Sequence, residues 1–339
     1  MLAVRLEQYG QPPVVTDVPD PVLRGESDVI VQVEGAGVCR TDLHAMNGEL
    51  ADVFPTPMPF TLGHEVAGVV VETGSGVRHA SVGDKVVLHP QMTCGLCPPC
   101  RRGEDNHCSN NDFMGLAVDG GMAQFVRTTE RALVPLAATS STTEVAPLAD
   151  AGITAYHAIS RAAKYLTSES VAVVLGCGGL GHLAIQMLRA MTDSCIVAVD
   201  PLPEARDLAK ALGADFVAGE DVAAIVEDAS QGRGATVVFD FVGEGDAPAL
   251  AVSLLAVKGL YAAVGYGGTC SIPTLELVLK EIRVQGNLVG TSQDLRELIA
   301  LYERGLLESR VTTYSLSDAL QAISDLEGGH VRGRAVLVP

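Results

Sequence analysis

Cys94, Cys97, Cys100 and Cys108 stand within one short stretch, HPQMTCGLCPPCRRGEDNHCSN, with the spacing Cys-x2-Cys-x2-Cys-x7-Cys. Thiolates are soft ligands, and four on one loop can close a tetrahedron around Zn(II) and leave no position for a substrate. A site of that kind is structural: it staples a loop with little apolar content of its own. Disulfides would need an oxidising compartment, and nothing marks the chain for export. An iron–sulfur cluster satisfies the cysteine count alone, but the glycine, proline and charge around these residues suit a surface lobe better. The chemistry must therefore lie elsewhere.

A second group of chemically able residues occurs earlier. GAGVCRTDLHAMNG places Cys39, Arg40, Thr41, Asp42 and His44 together, and TLGHEVAGVV adds His64 and Glu65. A lone Cys or His is more often a core filler or a surface residue than a ligand. Two of them on turns between apolar strands, in a chain that already carries a four-Cys loop, point to an open zinc site. Such a site needs three protein ligands and one exchangeable position; Cys39 and His64 supply two.

The third chemically informative stretch is Gly176-Cys177-Gly178-Gly179-Leu180-Gly181. A lone G-x-G-x-x-G can be an ordinary turn, but here an apolar run precedes it and a helical pattern, His182–Met191, follows. Gly176 permits the tight turn, Gly178 lets backbone approach a pyrophosphate, and Gly181 lets the helix pack on the strand. The helix N-terminus then offers amide donors and a positive dipole end to phosphate. Asp200 ends the next strand, CIVAVD, about 20 residues on, where a carboxylate accepts from ribose hydroxyls and repels a 2′-phosphate. It could also be a plain strand-end residue before Pro201. No Arg or Lys directly follows it, so NAD is expected over NADP.

The elements that must position these groups change character along the chain. The first ~145 residues hold short apolar runs broken by Gly and Pro, such as DVIVQVEGAGV and EVAGVVVETG, which read as buried strands. From about residue 150 strand and helix patterns alternate, which predicts a doubly wound parallel sheet. The last ~50 residues add two amphipathic helices, the second opening near Ser317, and a terminal strand, RAVLVP. At 339 residues the chain is long enough for two cores; with hydrophobic residues at 47%, aromatics at 4% and no Trp, those cores must be aliphatic. A formal charge of −18 disfavours nucleic acid and anionic membranes as partners. MLAVRLEQYGQPPVV has no basic start before an apolar run, and no stretch approaches about 20 apolar residues, so neither export nor a membrane span is expected and the cytoplasm is.

These stretches together resemble the zinc-dependent medium-chain alcohol dehydrogenase family over essentially the whole chain, and in particular its bacterial NAD-dependent secondary-alcohol members. The carriers are Gly37-Val-Cys39-Arg-Thr41-Asp-Leu-His44, Gly63-His64-Glu65-x2-Gly68, the four-Cys loop, and Gly176–Gly181 with Asp200. The resemblance implies an α/β fold with a GroES-like β-rich catalytic domain over 1–150, a Rossmann domain over 151–288 and a return to the catalytic domain over 289–339. It implies two zinc ions per chain and NAD. It puts the third catalytic zinc ligand at Asp150, where many members carry Cys; read from the residues alone, Asp150 is equally an N-cap of the following helix. By the same resemblance Glu65 is a carboxylate behind the metal or an occasional ligand, and Asp42 fixes the tautomer of His64. Thr41 and His44 pass a proton towards solvent, and Arg40 and Arg334 contact the pyrophosphate. Phe54, Leu116 and Tyr266 are candidate pocket residues because their segments flank the metal loop or end a Rossmann strand. The implied substrate is a small alcohol, aldehyde or ketone, and the implied assembly is a homodimer or homotetramer. Three other readings are a zinc-free reductase, which would lack both ligand sets; a polyol or other specialised dehydrogenase; and a non-catalytic NAD-binding protein, which would show a degraded metal site.

Overall fold

The computed structural model describes residues 1–339, and the chain divides into two compact units. The first comprises Met1–Ile153, Thr291–Glu303 and Glu308–Pro339; the second comprises Thr154–Gly290 and Arg304–Leu307.

In the first unit a seven-stranded sheet runs in the order Leu133–Pro135, Lys85–Leu88, Glu65–Thr73, Asp28–Val38, Arg334–Val338 and Val311–Ser315, with Phe125–Thr129 also pairing to Asp28–Val38. A smaller sheet aligns Val14–Asp17, Leu2–Leu6 and Phe60–Thr61. The core between them is almost wholly aliphatic, with Val4, Val31, Val66, Leu88, Met114 and Leu337 buried. The C-terminal strand is part of this core rather than an appendage. Val336 and Glu65 lie in register with Gly37 from opposite sides. Only glycine is possible there, because a Cβ at Gly37 would stand 1.9 Å from Oε2 of Glu65. The strand pairing thus opens a slot in which a carboxylate can sit beneath the sheet surface.

The second unit is a six-stranded parallel sheet ordered Phe216–Ala218, Cys195–Val199, Val171–Leu175, Ala235–Asp240, Leu255–Ala263 and Arg283–Gly286. The order reverses between Val171–Leu175 and Ala235–Asp240, and ligands of open α/β sheets bind at such a switch point, beyond the strands' C-terminal ends. The central strand is buried along its whole length, which is why its sequence shows no alternation. Phe216–Ala218 is only three residues long and carried no readable strand pattern. The two C-terminal helices form as expected, Ser292–Glu303 and Ala319–Glu327, the latter after a single turn in which the Ser315 hydroxyl accepts from Ser317 N–H. No helix is long and apolar enough to cross a membrane.

Candidate active site and cofactor site

Cys39 ends the strand Asp28–Val38 and precedes the helix Arg40–Met46; His64 precedes Glu65–Thr73; Asp150 precedes the helix Ala151–Ala162. The sheet register brings the three together. Their ligand atoms all lie within 4.8 Å of one another, and all three residues are buried. Tetrahedral zinc with ordinary bond lengths requires N···O and S···O separations of about 3.4 and 3.6 Å. The structure places His64 Nε2 3.4 Å and Cys39 Sγ 3.7 Å from Asp150 Oδ2. His64 Nε2 is buried without a hydrogen-bond partner, an arrangement that costs free energy unless something else occupies the lone pair. The donor set fits zinc with one position open.

The surroundings tune this set. Asp42 Oδ2 accepts the Cys39 N–H at 2.8 Å and so closes the turn into the helix, while its Oδ1 stands 3.4 Å from His64 Nδ1. Burial disfavours a charged His64 ring, yet the carboxylates of Asp42 and Asp150 outweigh it and raise its pKa well above the ordinary value. The same anionic field suits a divalent cation. Behind the set, Glu65 accepts the Ala151 N–H at 2.9 Å and forms a two-pronged pair with Arg334, Nε to Oε2 at 2.9 Å and Nη2 to Oε1 at 2.6 Å. Burial nevertheless raises the Glu65 pKa, with Arg334 opposing it. Arg334 is 3% exposed and its guanidinium is paired with Glu65, so it neutralises a buried carboxylate. Arg40, the other expected contact, is exposed at the start of its helix.

Thr41 and His44 are half-buried and three residues apart on the helix Arg40–Met46, hence on one side of it. His44 Nδ1 meets Glu49 Oε2 at 2.6 Å. Of the expected pocket residues, Phe54 and Leu116 line one small apolar cavity with Tyr9 and Phe60. Leu116 is 4% exposed and mainly part of the core. Tyr266 belongs to the second unit and is exposed. Phe113 also belongs to this site. Its ring packs edge-on between Phe54 at 5.5 Å and His64 at 6.1 Å, and it gives the metal site an apolar wall. No sequence signal marks it, since a two-residue pairing of Asp112–Phe113 with Gln91–Met92 sets its direction.

The four-Cys loop closes on itself. All four sulfurs lie within 4.8 Å of one another. Tetrahedral zinc demands S···S edges of about 3.8 Å, and Cys97 and Cys108 stand 3.8 Å apart. Backbone N–H groups point at the sulfurs, from Leu96 and Cys97 to Cys94 and from Cys94 and Asn110 to Cys108. Amides of Cys100 and Ser109 hold the Cys97 thiol down to about 6, so it is largely thiolate at neutral pH, the form that binds metal.

In the second unit Gly176 has φ of +85° at the turn after Val171–Leu175. A Cβ at Gly181 would stand 1.8 Å from the Gly176 carbonyl oxygen, whereas one at Gly178 would meet open space. Gly181 is thus required by helix packing, and the exposed backbone at Gly178 is open to a ligand, with Gly179 and Leu180 leading into the helix Gly181–Met191. These features fit a dinucleotide. Asp200 accepts from Cys177 N–H and Leu202 N–H, both at 2.9 Å. It is 8% exposed, so it shapes the glycine turn as well as presenting a carboxylate. Arg206, from the next helix, donates to the Asp200 and Pro201 carbonyls at 2.7 and 2.8 Å; a cation is therefore close by although none follows Asp200 in sequence.

Comparison with known proteins agrees with this geometry. Residues 25–138 match the alcohol dehydrogenase GroES-like domain, and residues 179–304 match the zinc-binding dehydrogenase domain. The chain is 34% identical over 350 residues to an NAD-dependent alcohol dehydrogenase of Sulfurisphaera tokodaii, covering 100% of both. Its fold is similar to that of an alcohol dehydrogenase from the hyperthermophilic archaeon Aeropyrum pernix, with TM-score 0.97, 42% identity and 100% of both chains covered. It is also similar to the D-arabinose dehydrogenase from Sulfolobus solfataricus, with TM-score 0.86, 30% identity, and 100% of this chain and 99% of that one covered. The chain belongs to the zinc-binding alcohol dehydrogenase family of medium-chain dehydrogenases.

Proposed function

We propose that this protein oxidises small apolar primary or secondary alcohols, or reduces the matching aldehydes and ketones, with NAD in the second unit and two zinc ions in the first. The observation that carries the reading is the buried Cys39, His64 and Asp150 set, whose spacings suit tetrahedral zinc with one position open. When bound, zinc supplies Lewis acidity to an alcohol or carbonyl oxygen and NAD supplies the hydride acceptor. The chain's residues do the remainder. Asp42 orients His64, and Glu65 with Arg334 keeps the carboxylate behind the metal neutralised. Phe113 and Phe54 offer an apolar wall, and Thr41 and His44 carry the hydroxyl proton away. Cys94, Cys97, Cys100 and Cys108 hold a structural zinc. Asp200 favours an unphosphorylated ribose and Arg40 meets phosphate.

The aromatic wall argues for apolar alcohols over sugars and polyols; similarity to a D-arabinose dehydrogenase makes sugars the reading to test against. Steady-state assays of alkanols, ketones, polyols and aldoses with NAD and NADP decide it. A kcat/KM for aldoses above that for secondary alkanols would overturn the apolar assignment.

The protein is further proposed to work in the cytoplasm as a homodimer or homotetramer. Leu275, Val278 and Leu279 on the helix Thr274–Lys280 are each 70% exposed, and the neighbouring edge strand Arg283–Gly286 has one unpaired side. An apolar helix beside an open edge is a surface that a second copy can cover.

A further inference from the structure

Glu49 is one of many acidic residues in this chain, and nothing in its local sequence singles it out. The structure ties it to His44 twice. Its backbone N–H donates to the His44 carbonyl at 3.0 Å, and its Oε2 takes the His44 Nδ1 at 2.6 Å. Asn47 Nδ2 donates to the other carboxylate oxygen at 3.3 Å. His44 is only 18% exposed and Glu49 is 52% exposed, so the pair runs from a sheltered ring to a solvated carboxylate. The hydrogen bond to His44 also keeps the Glu49 carboxyl below its ordinary value, which leaves it anionic at neutral pH.

We propose that Glu49 is a positioning residue for proton release: it fixes His44 as the Nδ1–H tautomer, so that Nε2 is the nitrogen that accepts the substrate-derived proton. The inference rests on the reading of His44 as part of the proton path. A carboxylate at hydrogen-bond distance from Nδ1 selects the tautomer in which Nδ1 donates, and the lone pair then resides on Nε2. When Nε2 gains a proton, the ring becomes a cation 2.6 Å from an anion. Deprotonation of the ring to water restores neutral imidazole with Nδ1 again protonated. One proton enters the ring and one leaves to solvent in each oxidative turnover.

The test compares wild type, Glu49→Gln, Glu49→Ala and His44→Gln. The Glu49 side chain is 52% exposed, so its replacements leave the fold in place. Ring 15N chemical shifts of His44 in the cofactor-free protein report the tautomer without any turnover. Wild type is expected as Nδ1–H, Glu49→Gln as Nδ1–H through its amide oxygen, and Glu49→Ala as predominantly Nε2–H. In steady state Glu49→Ala should lose about tenfold in alcohol-oxidation kcat and Glu49→Gln, which keeps the tautomer, clearly less, with KM for NAD within about twofold in both. Formate should restore Glu49→Ala by supplying the missing anion, and chloride should not. Glu49→Ala with the wild-type tautomer and wild-type kcat would overturn the proposal. If His44→Gln is slow and Glu49→Ala is not, the role of Glu49 alone falls. If His44→Gln turns over like wild type, the proton-path reading falls and this inference with it.

Discussion

Replacing Arg334 by Met should cost the first unit about 3–5 kcal/mol, because it strands the Glu65 carboxylate in a buried site without its counter-charge. Arg334 and Glu65 are 3% and 0% exposed, so water cannot enter to compensate without disturbing the sheet at Gly37, where Glu65 is already in close contact. For a unit of roughly 200 residues each kcal/mol shifts Tm by about 2–4 °C, so the fall should be about 6–20 °C. The pH dependence has a defined sign. Burial raises the Glu65 pKa and Arg334 opposes that rise, so the variant raises it further. A carboxyl whose folded value lies above its unfolded value gives stability that is present at low pH and lost as pH climbs through the folded value. The deficit should therefore be smaller in mildly acid than in mildly alkaline solution. Calorimetry of the zinc-loaded protein across that range measures both effects. Glu65→Gln combined with Arg334→Met should recover more than half of the lost Tm, because Gln still accepts from Ala151 N–H. An Arg334→Met variant with unchanged Tm and sharply weakened NAD binding would show instead that Arg334 acts chiefly as a pyrophosphate contact.

Cys97→Ser should lower thermal stability through loss of the structural zinc while leaving initial kcat at room temperature within about twofold, checked by melting curves beside initial rates. Asp200→Ala should lower kcat/KM for NAD by about tenfold to a hundredfold, the worth of a charged hydrogen bond together with the loosened Cys177 and Leu202 amides; an unchanged NAD/NADP ratio would show that Asp200 does not meet the ribose. Val278→Asp with Leu279→Glu should release monomers in light scattering, and a wild-type assembly in that variant would place the interface elsewhere.

What could be read from the sequence was whatever a short stretch of chain decides for itself. Four thiols within one loop and a glycine series between a strand and a helix carry their meaning locally, because spacing and backbone freedom fix it, whereas the roles of Asp150, Thr41 and His44 came only with the family resemblance. The partners that depend on tertiary register were not legible. Arg334 and Glu65 are 269 residues apart and meet because two strands flank Gly37. Phe113 turns towards His64 because of a two-residue pairing. Glu49 looked like any surface acid, and Arg206 comes close to Asp200 only through the turn into the next helix. Strand Phe216–Ala218 was too short to show a period.

The most direct test of the central claim is the zinc content of carefully prepared wild type beside Asp150→Asn, measured by elemental analysis together with alcohol oxidation. Asn caps a helix about as well as Asp, so as a cap the change costs only tenths of a kcal/mol; as a ligand it removes a negative charge from a set held within 4.8 Å. Wild type should hold two zinc ions per chain and the variant one, with melting behaviour, NAD binding and the four-Cys zinc retained and turnover largely lost. A wild type with one zinc or none, or an Asp150→Asn protein that keeps both ions and near-normal turnover, would contradict it.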